Sequence, residues 1–109
     1  MLILPTCKGI EIINIHTIVR VEAISNYSKL FFSNGKTLVV AKVLAWFGEK
    51  LPKGSFIRVH RSHIVSLQYV QTWCNSANNK IILHDNTPVD VSRRKKGMVM
   101  KAFRNLGAA

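Results

Sequence analysis

Three short polar segments interrupt the apolar runs of this sequence, and each is rich in side chains that donate hydrogen bonds. Their polar residues are, in chain order, Asn26, Tyr27, Ser28 and Lys29; His60, Arg61 and Ser62; and Arg93, Arg94, Lys95 and Lys96. Arginine can fork two hydrogen bonds onto a guanine edge or a phosphate, and Lys, Ser, Asn and Tyr also contact phosphates. This chemistry predicts contact with a nucleic acid.

The middle segment reads IRVHRSHIV from position 57. In a strand with one buried face the side chains alternate, so an apolar residue is expected at position 61 after Ile57 and Val59. Arg61 stands there instead, and the apolar run resumes at Ile64. We therefore predict a kink or tight turn near Arg61 and Ser62 that directs Arg61 outward. A solvated strand face with ordinary surface arginines is the alternative interpretation.

The two flanking segments also allow a functional and a structural interpretation. Asn26 and its neighbours could reach base edges or phosphates, or Asn26 could be a turn residue in a left-handed conformation. The four cations of residues 93–96 stand at a predicted helix N-terminus, where the macrodipole disfavours positive charge. A phosphate would compensate, because both the first-turn amides and the cations attract it; solvated surface charge is the alternative.

The overall charge supports a polyanionic partner. Sixteen Lys and Arg stand against five Asp and Glu in 109 residues, giving a formal net charge of +11. Such an excess repels itself in a compact state, so it favours nucleic acid as the partner. The alternatives are an anionic membrane surface, an acidic protein partner and basicity without a specific partner.

Neither a metal site nor catalysis is predicted. His60 and His63 differ by an odd number, so on a regular strand they point to opposite faces, and no cysteine is close to either. Cys7 and Cys74 form no CxxC pair, which indicates free, partly buried thiols. The acidic residues stand in no nucleophile, phosphate-loop or metalloprotease motif, so we expect no enzyme activity and no cofactor.

The length fits a single domain over residues 1–109. The N-terminal MLILP lacks the charged and apolar regions of a signal peptide, and no apolar run approaches the roughly 20 residues that cross a bilayer. We expect a cytoplasmic protein without membrane contact.

Short strands must position the polar segments. The runs with strand character are Ile10 to Ile15, Thr17 to Ile24, Leu30 to Phe32, Thr37 to Val40, Phe56 to Val59, Ile64 to Leu67, Tyr69 to Trp73, Lys80 to Leu83 and Val89 to Val91. Asn34-Gly35 supplies the positive φ angles of a tight hairpin turn, and turn residues at 75–79 and 85–88 separate the last strands.

Two helices complete the predicted fold. Leu44, Phe47 and Leu51 recur at helical spacing before Pro52, which predicts a short helix within residues 42–51. Ser92 can cap a final helix over residues 93–106. The fold class is therefore mostly β, with small antiparallel sheets, one short internal helix and a C-terminal helix.

Aromatic residues leave an alternative function open. Tyr27, Phe31 and Phe32 could stack on unpaired bases, as in an RNA-binding or single-strand-binding β module, although strand aromatics are more often core residues.

The order of several motifs resembles the LytTR family of bacterial DNA-binding domains. These motifs are Val21-Glu22-Ala23, Asn26-Tyr27, Asn34-Gly35-Lys36, Leu51-Pro52, Phe56-Ile57-Arg58-Val59-His60-Arg61-Ser62 and Val89-Asp90-Val91-Ser92-Arg93-Arg94. The resemblance covers nearly the whole chain, and the run from Phe56 to Ser62 is its most specific part. One departure is Ser66, where the family often carries Asn; that position looks structural.

The resemblance implies a function and partners. LytTR domains insert loops into successive major grooves of double-stranded DNA at direct-repeat promoter sites. The chain is expected to bind there as a transcription regulator, with a dimer on the DNA as one option. Such domains usually follow an N-terminal receiver domain in two-component response regulators that a sensor kinase pathway phosphorylates. These 109 residues contain no receiver, so we expect either a domain of such a regulator or a stand-alone LytTR protein. The resemblance favours Arg61 and Arg94 for base contact, with Ser28 or Lys29 third, and cations at 93, 95 and 96 for phosphate.

Overall fold

Alternation of apolar and polar residues builds short antiparallel strands that two helices interrupt. The computed structural model describes residues 1–74 and 79–106. In chain order its strands and helices are β1 (Leu2–Thr6), β2 (Gly9–Ile13), β3 (Ile18–Ile24), β4 (Tyr27–Phe32), β5 (Thr37–Val40), α1 (Leu44–Lys50), β6 (Phe56–His60), β7 (His63–Ser66), β8 (Val70–Cys74), β9 (Lys80–Leu83), β10 (Pro88–Asp90) and α2 (Lys96–Asn105). The predicted fold class is confirmed.

The strands form three antiparallel sheets. β1 and β2 make a hairpin, β8, β9 and β10 make a three-stranded sheet, and the largest sheet has the order β5-β4-β3-β7-β6. Two of the polar segments connect strands of the largest sheet.

One apolar cluster packs against each face of the five-stranded sheet. Phe56 and Ile64 belong to the cluster around Phe47, which includes α1, β1 and β4. Their chain neighbours Ile57 and Val65 belong to the second cluster, which includes the three-stranded sheet and α2. Successive strand residues point to opposite faces, so β6 and β7 contribute to both cores.

The prediction for α1 is confirmed. Leu44, Phe47 and Leu51 are buried, and they face the first cluster as their spacing requires. Ser66, the residue that departs from the family pattern, is also buried.

The hairpin predicted at Asn34-Gly35 joins β4 and β5, but its turn differs from the expected one. Of the two residues, only Gly35 has a positive φ, at +87°, and its amide donates to the carbonyl of Phe32 at 3.0 Å. The connection is therefore longer than a two-residue turn, and one left-handed residue is sufficient. In the β3–β4 turn, Ser25 has the positive φ that the alternative interpretation assigned to Asn26.

Other local predictions are corrected at both ends of the chain. Strand β1 was not predicted. The C-terminal segment begins as a 3₁₀ turn over Arg93–Lys95 before α2, and the Ser92 side chain makes no capping hydrogen bond. Instead, the Ser92 amide donates to the carbonyl of Val59 at 2.8 Å, which attaches this segment to β6. The turn predicted at 75–79 lies outside the described residues except for Asn79.

The β1–β2 hairpin exposes one apolar face. Its inner side chains Leu2 and Leu4 enter the first cluster, whereas Ile3, Ile10 and Ile12 are 60%, 73% and 68% exposed. Cys7 in its turn is free and exposed, as is Cys74, so the thiols are more accessible than predicted. Among the described residues, no helix is both long and apolar enough to span a membrane.

Candidate nucleic-acid interface

Two of the three polar segments meet at one end of the five-stranded sheet. Strand β3 is antiparallel to both β4 and β7, so the end of β3 lies beside the starts of those two strands. The β3–β4 turn at residues 25–26 and the β6–β7 turn at residues 61–62 are therefore neighbours. The Ala23 amide donates to the Ser62 carbonyl at 2.9 Å and joins them directly.

The run from Phe56 to Ser66 is a hairpin of two strands, and Arg61 occupies its turn. The predicted tight turn is present, and the Arg61 side chain is exposed. Arg58 donates from Nη2 to the Arg61 carbonyl at 2.7 Å, and the Ser62 amide donates to His60 Nδ1 at 3.1 Å. These bonds fix the turn backbone while they leave the Arg61 guanidinium free of hydrogen bonds to the described residues.

The third polar segment lies against the same turn. The Ser92 bond to β6 brings the 3₁₀ turn over Arg93–Lys95 beside β6 and β7. A cleft of about 530 Å³ lies between the two segments, with no Asp or Glu in its lining. It is lined by Arg58, His60, Arg61, Ser92, Arg94 and Lys95. Arg61 and Arg94, 33 positions apart in the sequence, therefore share one strongly positive cleft.

The first polar segment is only partly available to a ligand. Asn26 and Tyr27 are exposed, whereas Ser28 is fully buried and its hydroxyl donates to the Lys42 carbonyl at 2.7 Å. Ser28 therefore cannot contact DNA through its side chain in this conformation, contrary to the prediction. Lys29 is partly buried on the sheet face opposite to Ser28, and its Nζ lies 5.1 Å from the centroid of the Phe31 ring.

The prediction that His60 and His63 point apart is wrong. The turn between them reverses the chain, so they pair across the hairpin with ring centroids 5.3 Å apart. His63 Nδ1 is buried without a hydrogen-bond partner among the described residues. Burial lowers the pKa of His63 below its ordinary value of 6.5; Glu22 opposes this shift, and His60 and Arg20 add to it. Within residues 1–74 and 79–106, no three His, Cys, Asp or Glu side chains form a metal-binding group.

The aromatic residues do not form the platform that the alternative function requires. Phe31 and Phe32 are consecutive on β4 and point to opposite faces of the sheet. Phe32 packs against the first apolar cluster, and the Arg20 guanidinium carbon lies 3.6 Å from the centroid of the Phe31 ring. The Phe32 ring is thus in the core, and the Phe31 ring is covered by the Arg20 side chain.

Comparison with known proteins identifies the family of this chain. The family model of the LytTr DNA-binding domain matches residues 8–104. The chain belongs to the LytTR family. This LytTR domain is 33% identical over 106 residues to the sensory transduction protein LytT of Bacillus anthracis, and equally so to LytT of Bacillus cereus. Each match covers 94% of the chain and 42% of the relative, so the chain spans less than half of these relatives.

Two further matches agree with the family. LytT of Bacillus subtilis is 42% identical over 57 residues, which are 50% of the chain and 23% of the relative. A solved LytTr DNA-binding domain from Bacillus cereus superimposes with a TM-score of 0.80 at 24% identity, over 98% of this chain and 96% of that one. That structure confirms the LytTR fold.

Sequence reasoning missed the role of Arg58 at this interface. From the sequence alone Arg58 is an ordinary surface arginine, but in the structure it donates a hydrogen bond to the Arg61 carbonyl and lines the cleft. Its position three residues before Arg61 becomes informative only when the chain is read as a hairpin.

Proposed function

We propose that this domain recognises double-stranded DNA sequence-specifically by inserting its polar turns into successive major grooves. The observation that carries the proposal is the shared cleft of Arg61 and Arg94, beside the β3–β4 turn at the same end of the sheet. Exposed arginines on these turns can reach base edges. The hydrogen bonds that hold the turn involve its backbone, so the guanidinium groups remain free to donate two hydrogen bonds to a base.

The residues have three roles in this proposal. Arg61 and Arg94 read base edges. Asn26, Tyr27 and Lys29 contact base edges or phosphates from the neighbouring polar segment. Arg93, Lys95 and Lys96 hold phosphates, which position the protein without reading sequence. His60 and Ser62 shape the turn that presents Arg61. Residues 1–109 act as one DNA-binding unit.

The relatives extend the proposal to the biological context. They are named sensory transduction proteins, and the chain spans 42% of two of them. We propose that this domain is the effector part of a transcription regulator of the two-component type, in which phosphorylation of a receiver domain controls binding. Two copies would occupy a direct repeat at a promoter.

Selection of bound duplexes from a random library tests the proposal. The expected result is one enriched motif that occurs twice in the same orientation, with centres about 10 base pairs or a multiple apart, so that both copies bind the same side of the helix. The matched control is the Arg61→Ala/Arg94→Ala double variant, which should enrich no motif.

Competition with unpaired nucleic acid completes the test. Single-stranded RNA of equal length should compete poorly with the selected duplex. Stronger binding to the RNA than to the duplex would refute the proposal and favour a single-strand-binding module.

A further inference from the structure

A second cleft, of about 600 Å³, lies where the two apolar clusters meet. Strand β6 is the last strand of its sheet, with α1 in the cluster on one face and α2 in the cluster on the other. The helices therefore lie on opposite faces of the sheet beside this edge strand. The floor between them is apolar and includes Phe47, Leu51, Phe56, Ile57 and Leu67.

Small residues keep this cleft open. Gly48 of α1 and Gly54 before β6 both line it, and a Cβ added at either position would meet no atom within 4 Å. Met98 of α2 lies at the cleft and is 44% exposed. Methionine adapts its unbranched side chain to irregular apolar partners. The volume falls in the range of about 300–1,000 Å³ that is usual for small-molecule sites.

The charge at this cleft has one sign. Its cationic lining residues are Lys53, Arg58, Lys95 and Lys101, and no Asp or Glu lines it. Cations above an apolar, low-dielectric floor attract an anion more strongly than the same cations in open water. A neutral apolar molecule would leave those charges without a partner, and an apolar cation would be repelled.

We propose that this cleft binds a small amphipathic anion, with one acidic head group at the lysines and an apolar body on the floor. This proposal goes beyond DNA recognition, since binding can be measured without DNA. It also predicts a link between the two sites: Arg58 and Lys95 line both clefts, so an anion bound here competes with DNA for them. Each ligand should weaken the other by the same factor.

Decanoate below its micelle concentration is a suitable probe, with decyltrimethylammonium and decanol as matched analogues. Binding to the DNA-free domain is followed by calorimetry and by the NMR shift of the Met98 methyl. We expect saturable one-to-one binding of decanoate, and binding of the ammonium analogue about tenfold weaker or more, because its charge is repelled. The proposal would be overturned if decyltrimethylammonium or decanol bound as tightly as decanoate, or if Met98 showed no shift.

Two pairs of variants locate the site. Gly48→Leu places a bulky side chain in the cleft and should block binding, whereas Gly97→Leu places the same side chain in α2 outside the cleft and should not. Lys101→Glu should weaken binding about fivefold or more, whereas Lys8→Glu makes the same charge change in the β1–β2 turn and should leave it within about twofold. Circular dichroism checks that each variant is folded.

Two other outcomes would also overturn the proposal. One is decanoate binding that survives Gly48→Leu and shifts Ile3, Ile10 and Ile12 instead. The other is a dimer in sedimentation experiments that Gly48→Leu dissociates, which would make the cleft a contact between copies of the chain. Failure of decanoate to bind leaves the DNA-binding proposal intact, since duplex selection tests that separately.

Discussion

Replacing Arg61 by Ala separates base recognition from general attraction to DNA. The Arg61 carbonyl, and not its side chain, accepts the hydrogen bond from Arg58, so the variant keeps the bond that supports the turn. The change therefore removes a guanidinium from the tip of an otherwise intact hairpin. Any loss of binding can be assigned to the contacts of that side chain.

The expected loss can be estimated from the type of contact. A guanidinium that forks onto a base edge contributes about 1–3 kcal/mol, which corresponds to about 5-fold to 150-fold in affinity. Selectivity should relax at one base pair of the recognised site. The slope of log affinity against log salt should change little, because a lost base contact releases no phosphate counterion, whereas a lost phosphate contact reduces the slope by about 0.9.

Fluorescence anisotropy titrations provide the assay. They use the selected duplex and versions with each base pair changed in turn, at several salt concentrations. Lys53→Ala is the matched control, because Lys53 is exposed and does not line the cleft of Arg61 and Arg94. Unchanged affinity and selectivity of Arg61→Ala would refute base reading by this residue, and a uniform loss with a reduced salt slope would make it a phosphate contact.

Three further predictions test neighbouring features. Lys96→Ala should weaken binding to all duplexes alike and reduce the salt slope by about 0.9, as measured by the same titrations. Ser28→Ala should lower the free energy of urea unfolding by about 1 kcal/mol without changing DNA affinity, because its buried hydroxyl bonds only the Lys42 carbonyl; a selective loss of DNA affinity would contradict this. The lowered pKa of His63 means that the unfolded state takes up a proton first as pH falls, so the unfolding free energy should decline below about pH 6.5. His63→Gln should flatten that decline in unfolding titrations across pH 5–8; an unchanged decline in this variant would contradict the assignment.

Local patterns in the sequence predicted much of the fold. The spacing of Leu44, Phe47 and Leu51 identified α1, because a helix with one buried stripe must repeat its apolar residues with that period. The three polar segments also marked features that the fold brings to one region, since polar residues between buried strands belong to exposed turns. The cleft that joins the second and third segments depends on a bond between positions 59 and 92, which no local pattern reports.

Two incorrect predictions at the candidate interface share one physical cause, namely that sequence spacing does not show where the chain reverses. The prediction that His60 and His63 point to opposite faces assumes a continuous strand. The turn at Arg61 reverses the chain and places their rings on the same side. Ser28 looked like part of a polar loop, but β4 already begins at Tyr27 and its alternation turns Ser28 inward. Its partner carbonyl at Lys42 is 14 positions away in sequence.

The exposed isoleucines of the β1–β2 hairpin have a practical consequence for handling this protein. At low ionic strength the +11 charge keeps molecules apart, but the Debye length shrinks from about 10 Å at 0.1 M salt to about 3 Å at 1 M. Salt washes that strip contaminating nucleic acid also screen this repulsion, while attraction between apolar faces persists. Purified samples should therefore be most prone to precipitate in the buffer that cleans them best, and dilution during the wash should protect them.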